Sequence, residues 1–299
     1  MTPYATAAYA AACAHLGTPR RLPHAGAHLL LRDCGGGHQD AIAPYPVLAC
    51  DDWARLDDDL AACRDLVSVV AVVDPLGDVD GAGLRRAFPD LARPWKLHHL
   101  VDLGTPLADH ADRDHLRKAR RARRSVSVER SNDAAAWARL YDELRDRPGF
   151  GLAADFGTDT WPGLFALPGF RAYAATDAHG DVVAMSLWLV DGHRAWYHLG
   201  ASSAAGYSVG ASFAGFEHAL TELRDEGVAV VDLGGVAGSV DDPTDGLARF
   251  KRGWADVRRH AWLCGRILDH DAYDDLSSGV AGAPWFPAYR APVALACAS

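Results

Sequence analysis

Residues 228–254 read VAVVDLGGVAGSVDDPTDGLARFKRGW, and here residue types and spacing best suit chemistry. An apolar, β-branched run ends in Asp232, Gly234 and Gly235 follow at once, and a polar loop leads to Phe250, Lys251 and Arg252. A buried strand that runs into glycines lets backbone N–H groups approach a ligand closely. A lysine just beyond it is a compact point charge that can stabilise negative charge developing on that ligand. Leu247, Phe250 and Trp254 stand three and four apart. That spacing predicts one apolar face that docks the short segment and leaves Lys251 off it, toward residues 232–235.

A second concentration of chemistry lies at 117–124, where Arg117, Lys118, Arg120, Arg121, Arg123 and Arg124 place six cations in eight residues. On a helix they surround most of the circumference, leaving Leu116, Ala119 and Ala122 as a thin contact stripe. A solvated helix usually carries acidic partners at i+4, and none lies inside the run. In an acidic protein such a patch suggests a polyanion such as RNA. Other candidates read as structural. His24 and His28 are four apart, but Ala-Gly-Ala separates them and Pro23 precedes them, so surface or packing histidines are expected and no metal site. Residues 34–37, Cys-Gly-Gly-Gly, lack the Lys-Ser/Thr of a phosphate loop. His98 and His99 fall on opposite faces of a strand at 96–103, and both read as packing residues. The triplet 57–59 reads as the solvated face of a helix over 51–63.

Composition limits the classes open to this chain. Hydrophobic residues make up 49% of its 299 positions, enough for a real core and against extensive disorder. Thirty Lys and Arg against 39 Asp and Glu give a formal charge of −9, which disfavours indiscriminate nucleic-acid binding while leaving room for a local basic site. The six cysteines, Cys13, Cys34, Cys50, Cys63, Cys264 and Cys297, form no CxxC pair and read as reduced thiols. No signal peptide and no membrane-spanning run is read, so a cytoplasmic protein is expected.

Two linked pieces, Asp232-Leu233-Gly234-Gly235 and Phe250-Lys251 with Gly253-Trp254, resemble the Fem family of aminoacyl-tRNA-dependent transferases, which are built on the GNAT (GCN5-related N-acetyltransferase) fold. Fem relatives also carry a Lys/Arg-rich segment at the place of residues 117–124 and a Pro-Tyr-rich segment at the place of Tyr45. The resemblance implies that an amino acid carried as an ester on a tRNA is joined as an amide to an amine acceptor. That acceptor is a small metabolite of secondary metabolism or a peptidoglycan-precursor peptide. By the same resemblance Lys251 stabilises the oxyanion or the tRNA end, Tyr45, Gly234, Gly235 and Phe250 line the substrate cleft, and the basic segment holds the tRNA. Asp232 and His198 are the candidates for taking a proton, although a strand-end carboxylate and a core histidine account for them equally. No cofactor is expected, aminoacyl-tRNA being the co-substrate.

Two alternatives stand beside this reading. One is an acyl-CoA-dependent GNAT N-acyltransferase using acetyl-CoA; the other is a non-catalytic RNA-binding protein on a decayed transferase fold. Ordinary GNAT enzymes hold the coenzyme A pyrophosphate on a loop of the form (Gln/Arg)-x-x-Gly-x-(Gly/Ala). Residues 207–212, Tyr-Ser-Val-Gly-Ala-Ser, match it at Gly210 alone.

The elements that must position these residues are α/β, with mixed sheets in tandem GNAT-like units. Strands are expected at 66–73, 96–103, 126–129, 170–176, 182–190, 194–200 and 258–268, and Asp-Gly turns mark the hairpins of the meander. Helices are expected at 6–16, 51–63, over the basic run, after Asn132 or Asp133, at 160–167 and as one element over 207–226. A first, degenerate unit is expected over 1–125 and a second, carrying the motifs, over 126–299, with the tail packing back on the first.

Overall fold

The computed structural model describes residues 2–146, 156–157, 160–235, 245–280 and 285–291. Among them the strands are β1 (Thr18–Leu22), β2 (Ala27–Gly35), β3 (His38–Ile42), β4 (Ser68–Val73), β5 (Leu91–Asp102), β6 (Val126–Arg130), β7 (Phe170–Asp177), β8 (Val182–Asp191), β9 (Arg194–Ser202), β10 (Val230–Asp232) and β11 (Val257–Ile267). The α-helices are α1 (Ala7–Ala12), α2 (Leu56–Ala62), α3 (Gly81–Ala87), α4 (Leu107–His110), α5 (Arg113–Ala122), α6 (Ala134–Arg145), α7 (Thr160–Phe165), α8 (Ala204–Val209), α9 (Ala211–Asp225), α10 (Gly246–Arg252) and α11 (His270–Ser277). None is long and apolar enough to cross a membrane.

One compact unit holds the described residues of Met1–Trp95 and Ala261–Ser299, and the other is Lys96–His260. The boundary expected at 125/126 therefore moves into β5. The reason is packing: β5 pairs with β10, and α5 lies against α9.

In the first unit the strand order is β1-β2-β3-β4-β11, antiparallel except for the parallel β3–β4 pair. Thr6 caps α1 by accepting the Tyr9 N–H, which starts the helix within the expected Ala-rich stretch. Leu29, Leu60, Val69, Leu84, Phe88 and Cys264 share the core. Asp40 is fully buried between Arg32 and Arg290, whose Nε atoms stand 3.0 and 2.9 Å from its oxygens; residues 285–291 thus carry a guanidinium back to β3. Asp59 corrects the reading of 57–59 as a solvated face. It is buried, accepts the His24 and Ala25 N–H groups, and pairs with His24 Nδ1 at 2.6 Å. His28 instead bonds the Ala5 carbonyl, so the two histidines have separate structural partners.

The second unit has strand order β5-β10-β9-β8-β7-β6. Its β6–β9 portion is the expected antiparallel meander, and β10 then pairs parallel with β9 and antiparallel with β5. Asp133 caps α6 by accepting the Ala136 N–H at 2.8 Å. Trp188, Phe216, Leu220, Val231 and Trp254 are buried together under α9. The single helix expected over 207–226 is two: α8 ends at Gly210, which is left-handed at φ 72°, and α9 begins at Ala211. A left-handed residue cannot continue an α-helix, so this glycine breaks the run.

Candidate active site

β10 is only three residues long, yet it delivers Asp232 into the second unit's sheet, between β5 and β9. Asp232 sits opposite Leu100 of β5 on one side and Trp196 of β9 on the other. Its buried carboxylate accepts the Gly234 N–H at 2.7 Å through Oδ1. That turn needs Gly234 at φ 77°, a conformation L side chains rarely adopt. Oδ2 accepts from His98 Nδ1 at 2.7 Å. Because a carboxylate only accepts here, the bond places the proton on Nδ1 and leaves the neutral imidazole's lone pair on Nε2. The sequence reading took His98 for packing; the structure buries it and bonds it to Asp232. Its signal, a histidine on the strand paired with the Asp-Leu-Gly-Gly strand, emerges only once β5 and β10 are seen to be neighbours.

Lys251 arrives from α10, which Asp245 caps by accepting the Ala248 N–H at 2.7 Å. The expected docking face is corrected. Ala248, Lys251 and Trp254 are buried, whereas Leu247 is 40% exposed. Lys251 Nζ donates to the Gly235 carbonyl at 2.6 Å and stands 5.8 Å from the centre of the Tyr197 ring. Burial pulls its pKa from 10.5 to about 8; Lys96 pushes the same way, and Asp232 and Asp245 oppose. The Lys96 ammonium is itself pushed down by burial. Gly235 lies against His98 as well: a Cβ there would come within 3.3 Å of the imidazole Cδ2. His98, Asp232, Gly234, Gly235 and Lys251 therefore form one cluster. The loop 236–244 between the two motif pieces lies outside the described residues.

Phe250 is half-buried, its ring 4.6 Å from Phe216 and 5.1 Å from Phe213, and its carbonyl accepts from His115 Nε2 at 3.1 Å. That bond ties α10 to α5, the basic helix. α5 buries His115, Ala119 and Ala122, with Leu116 half-buried beside them. Three of the six cations have acidic partners outside the run: Arg117 and Lys118 pair with Asp114 in the first turn of α5, and Arg123 pairs with Glu217 of α9 at 3.2 Å. Arg120, Arg121 and Arg124 are exposed and form no ion pair among the described residues. Beside α5, Lys118, Arg249 and Arg252 line an open cavity of about 440 Å³, which also receives Asp112 and Asp114.

One expected site residue is not brought to this cluster. His198 lies where the β8–β9 register shifts, between Trp188↔Tyr197 and Leu187↔Leu199. Its ring packs on Phe156 at 5.7 Å, in an aromatic group with Trp161, Trp137 and Tyr141. Burial holds its pKa down to about 3, so it stays neutral. Tyr45 belongs to the first unit, where its carbonyl accepts the Tyr9 hydroxyl; burial raises its phenol. Among the described residues no three His, Cys, Asp or Glu side chains gather as metal ligands. The five cysteines described form no disulfide, and Cys297 lies outside the described residues.

Comparison with known proteins fits this geometry. Residues 109–252 match the model of the acetyltransferase (GNAT) domain family. No curated protein matches the chain in sequence. Among solved structures it is similar to FemX, at 14% identity over 90% of this chain and 92% of that one, with a TM-score of 0.66. It is also similar to L-PGS from Bacillus licheniformis, at 15% identity over 89% and 92%, with a TM-score of 0.58. A third is the C-terminal DUF2156 domain of a protein named as a lysylphosphatidylglycerol synthetase from Agrobacterium fabrum, at 14% identity over 82% and 81%, with a TM-score of 0.55. At these identities the likeness is one of fold. The chain carries a tandem GNAT-like fold similar to that of FemX, and its residues 109–252 match the GNAT acetyltransferase-domain model.

Proposed function

We propose that this protein is an aminoacyl-tRNA-dependent transferase that forms an amide between a tRNA-borne amino acid and an amine-bearing acceptor, a small metabolite or a peptidoglycan-precursor peptide. The observation that carries the reading is Lys251, a lysine buried against its own solvation preference at the end of the Asp-Leu-Gly-Gly strand. A cation kept there at a cost of folding stability is placed for charge that develops during reaction.

In this reading the acceptor amine attacks the ester carbonyl. The N–C bond forms, the ester C–O bond breaks, and the tRNA 3′-oxygen leaves. Lys251 spends one N–H on Gly235 and has two left for the oxyanion. His98 Nε2 takes the amine proton and returns it to the leaving oxygen, while Asp232 holds Nδ1–H and thus the ring's orientation. Asp232 is then a positioning residue, and His98 replaces His198 as the base. Arg120, Arg121 and Arg124, with Arg249 and Arg252 on α10, supply phosphate contacts toward the tRNA 3′ end. Gly234, Gly235 and Phe250 line the donor side, and Tyr45 stays an acceptor-side candidate on the first unit.

The acyl-CoA reading is favoured by the family match over 109–252. The segment that would cradle a pyrophosphate counts against it. Residues 207–209 are helical, and the Gly210 and Phe213 amides are spent on the Tyr207 and Gly210 carbonyls. Calorimetry separates the two: uncharged tRNA is expected to bind with strong salt dependence, and acetyl-CoA not to bind. Tight acetyl-CoA binding with no tRNA binding would reverse the ranking.

A further inference from the structure

β9 and β10 pair in parallel over three residues only, from Arg194↔Val230 to Trp196↔Asp232. Beyond that point β9 runs on to Ser202, while the chain after Asp232 turns toward β5, where the Gly234 carbonyl accepts the His99 N–H. β9 thereby loses its β10 neighbour just where Lys251 stands. Next to this parting is a cavity of about 430 Å³, walled by β7, β8, β9, α9 and α10. That volume is within the range of small-ligand sites. Tyr197, Phe213, Phe216 and Phe250 give it an aromatic lining, and Ser186 and Gly200 line it as well. Among the described residues no Asp, Glu, Lys, Arg or His lines it.

We infer that this cavity receives the side chain of the transferred amino acid and restricts the donor to uncharged, apolar or aromatic residues. The inference rests on the aminoacyl-transfer reading above and names its substrate class. Three features support it. First, Tyr197 is the shared wall: its ring faces the cavity and lies 5.8 Å from Lys251 Nζ. An acyl carbonyl held at Lys251 therefore has its α-substituent within reach of the opening.

Second, the cavity is kept open by sequence. The register shift in β8–β9 sets Gly200 opposite Ser186 and Tyr197 opposite Trp188. A Cβ at Gly200 would come within 2.1 Å of the Tyr197 hydroxyl, so any other residue there would drive the phenol out of its place. Ser186 is already engaged, its Oγ accepting from Trp188 Nε1 at 2.9 Å.

Third, the lining chemistry sorts ligands. An ammonium, guanidinium or carboxylate in such a site loses its hydration without gaining a counter-charge, whereas an apolar side chain gains from burial. Leu247, 40% exposed, and Tyr207, 58% exposed, also line it, so its apolar lining continues out to solvent.

The test uses the full chain and hydrolysis-resistant 3′-aminoacylamido-adenosines carrying Phe, Leu, Lys or Glu, titrated by calorimetry. The Phe and Leu probes are expected to bind roughly 10²-fold more tightly than the Lys and Glu probes. Gly200→Val, folded by circular dichroism, should lose most of that preference. Leu247→Lys alters only the exposed part of the lining, so it serves if the strand variant fails to fold; it should weaken the Phe probe and spare the Lys probe. Equal affinity for all four probes in the wild type would overturn the inference and leave the aminoacyl-transfer reading standing. Failure of every adenosine probe, with tight acetyl-CoA binding, would overturn both.

Discussion

Replacing Lys251 with Met separates a lysine kept for chemistry from one kept for structure. Met has nearly the same length and no charge. A depression from 10.5 to about 8 corresponds to about 3 kcal/mol against the charged form in the folded protein. Removing the ammonium recovers that amount and loses one charge-assisted hydrogen bond to Gly235, worth about 1.5–3 kcal/mol. The net expectation is from no change to about 1.5 kcal/mol of added stability, or up to about 5 °C in Tm. Turnover should fall by roughly 10²–10³ in the same variant, as loss of one oxyanion donor does. The pH dependence gives an internal check. Between about 8 and 10.5 the unfolded chain holds this proton more firmly than the folded one, so wild-type stability gains from this group as pH rises through that window. In the Met variant the gain should vanish. Scanning calorimetry at pH 7 and 9.5, with steady-state rates, measures all of this. A Met variant less stable than wild type but fully active would show Lys251 to be a structural residue and refute the reasoning.

Because Lys251 acts as a cation, the turnover of the wild type should decline as pH rises through about 8, and a pH–rate profile flat from 7 to 9.5 would count against that role. His98→Gln should lower turnover roughly 10²–10⁴-fold with little change in tRNA affinity, and Asp232→Asn should do the same by losing the His98 tautomer; tRNA binding measured alongside shows whether the loss is in the chemical step. Changing Arg120, Arg121 and Arg124 together to Ala should make the salt slope of tRNA binding shallower by about two to three units, with Tm unmoved because all three are exposed; filter binding across a salt series reads this, and an unchanged slope would remove α5 from the interface.

What could be read from the sequence was local. Thr6 and Asp133 announce their helices because a cap lies next to what it caps, and Asp191-Gly192 marks its hairpin for the same reason. The motif residues Asp232, Gly234 and Lys251 were legible as a pattern along the chain. His98 was not, since its partner lies 134 residues away across the β5–β10 pairing. The burial of Lys251 was hidden by a general expectation that lysines are exposed, and α10, at seven residues, is too short for periodicity to fix its inner face. His198 misled because a regular strand was assumed where the register shifts. The basic run read as uncompensated because Glu217 comes from α9 and Asp114 from the turn before it.

The central claim is that the acyl group comes from tRNA and is transferred beside Lys251. It is tested most directly by incubating the protein with a total pool of radiolabelled aminoacyl-tRNA and an amine-containing metabolite extract, then following label into material stable to mild base. The account predicts a base-stable, amide-linked product that disappears when the tRNA is treated with RNase beforehand and falls at least about 10²-fold with Lys251→Met. Label transferred from acetyl-CoA instead, insensitive to RNase, would contradict it.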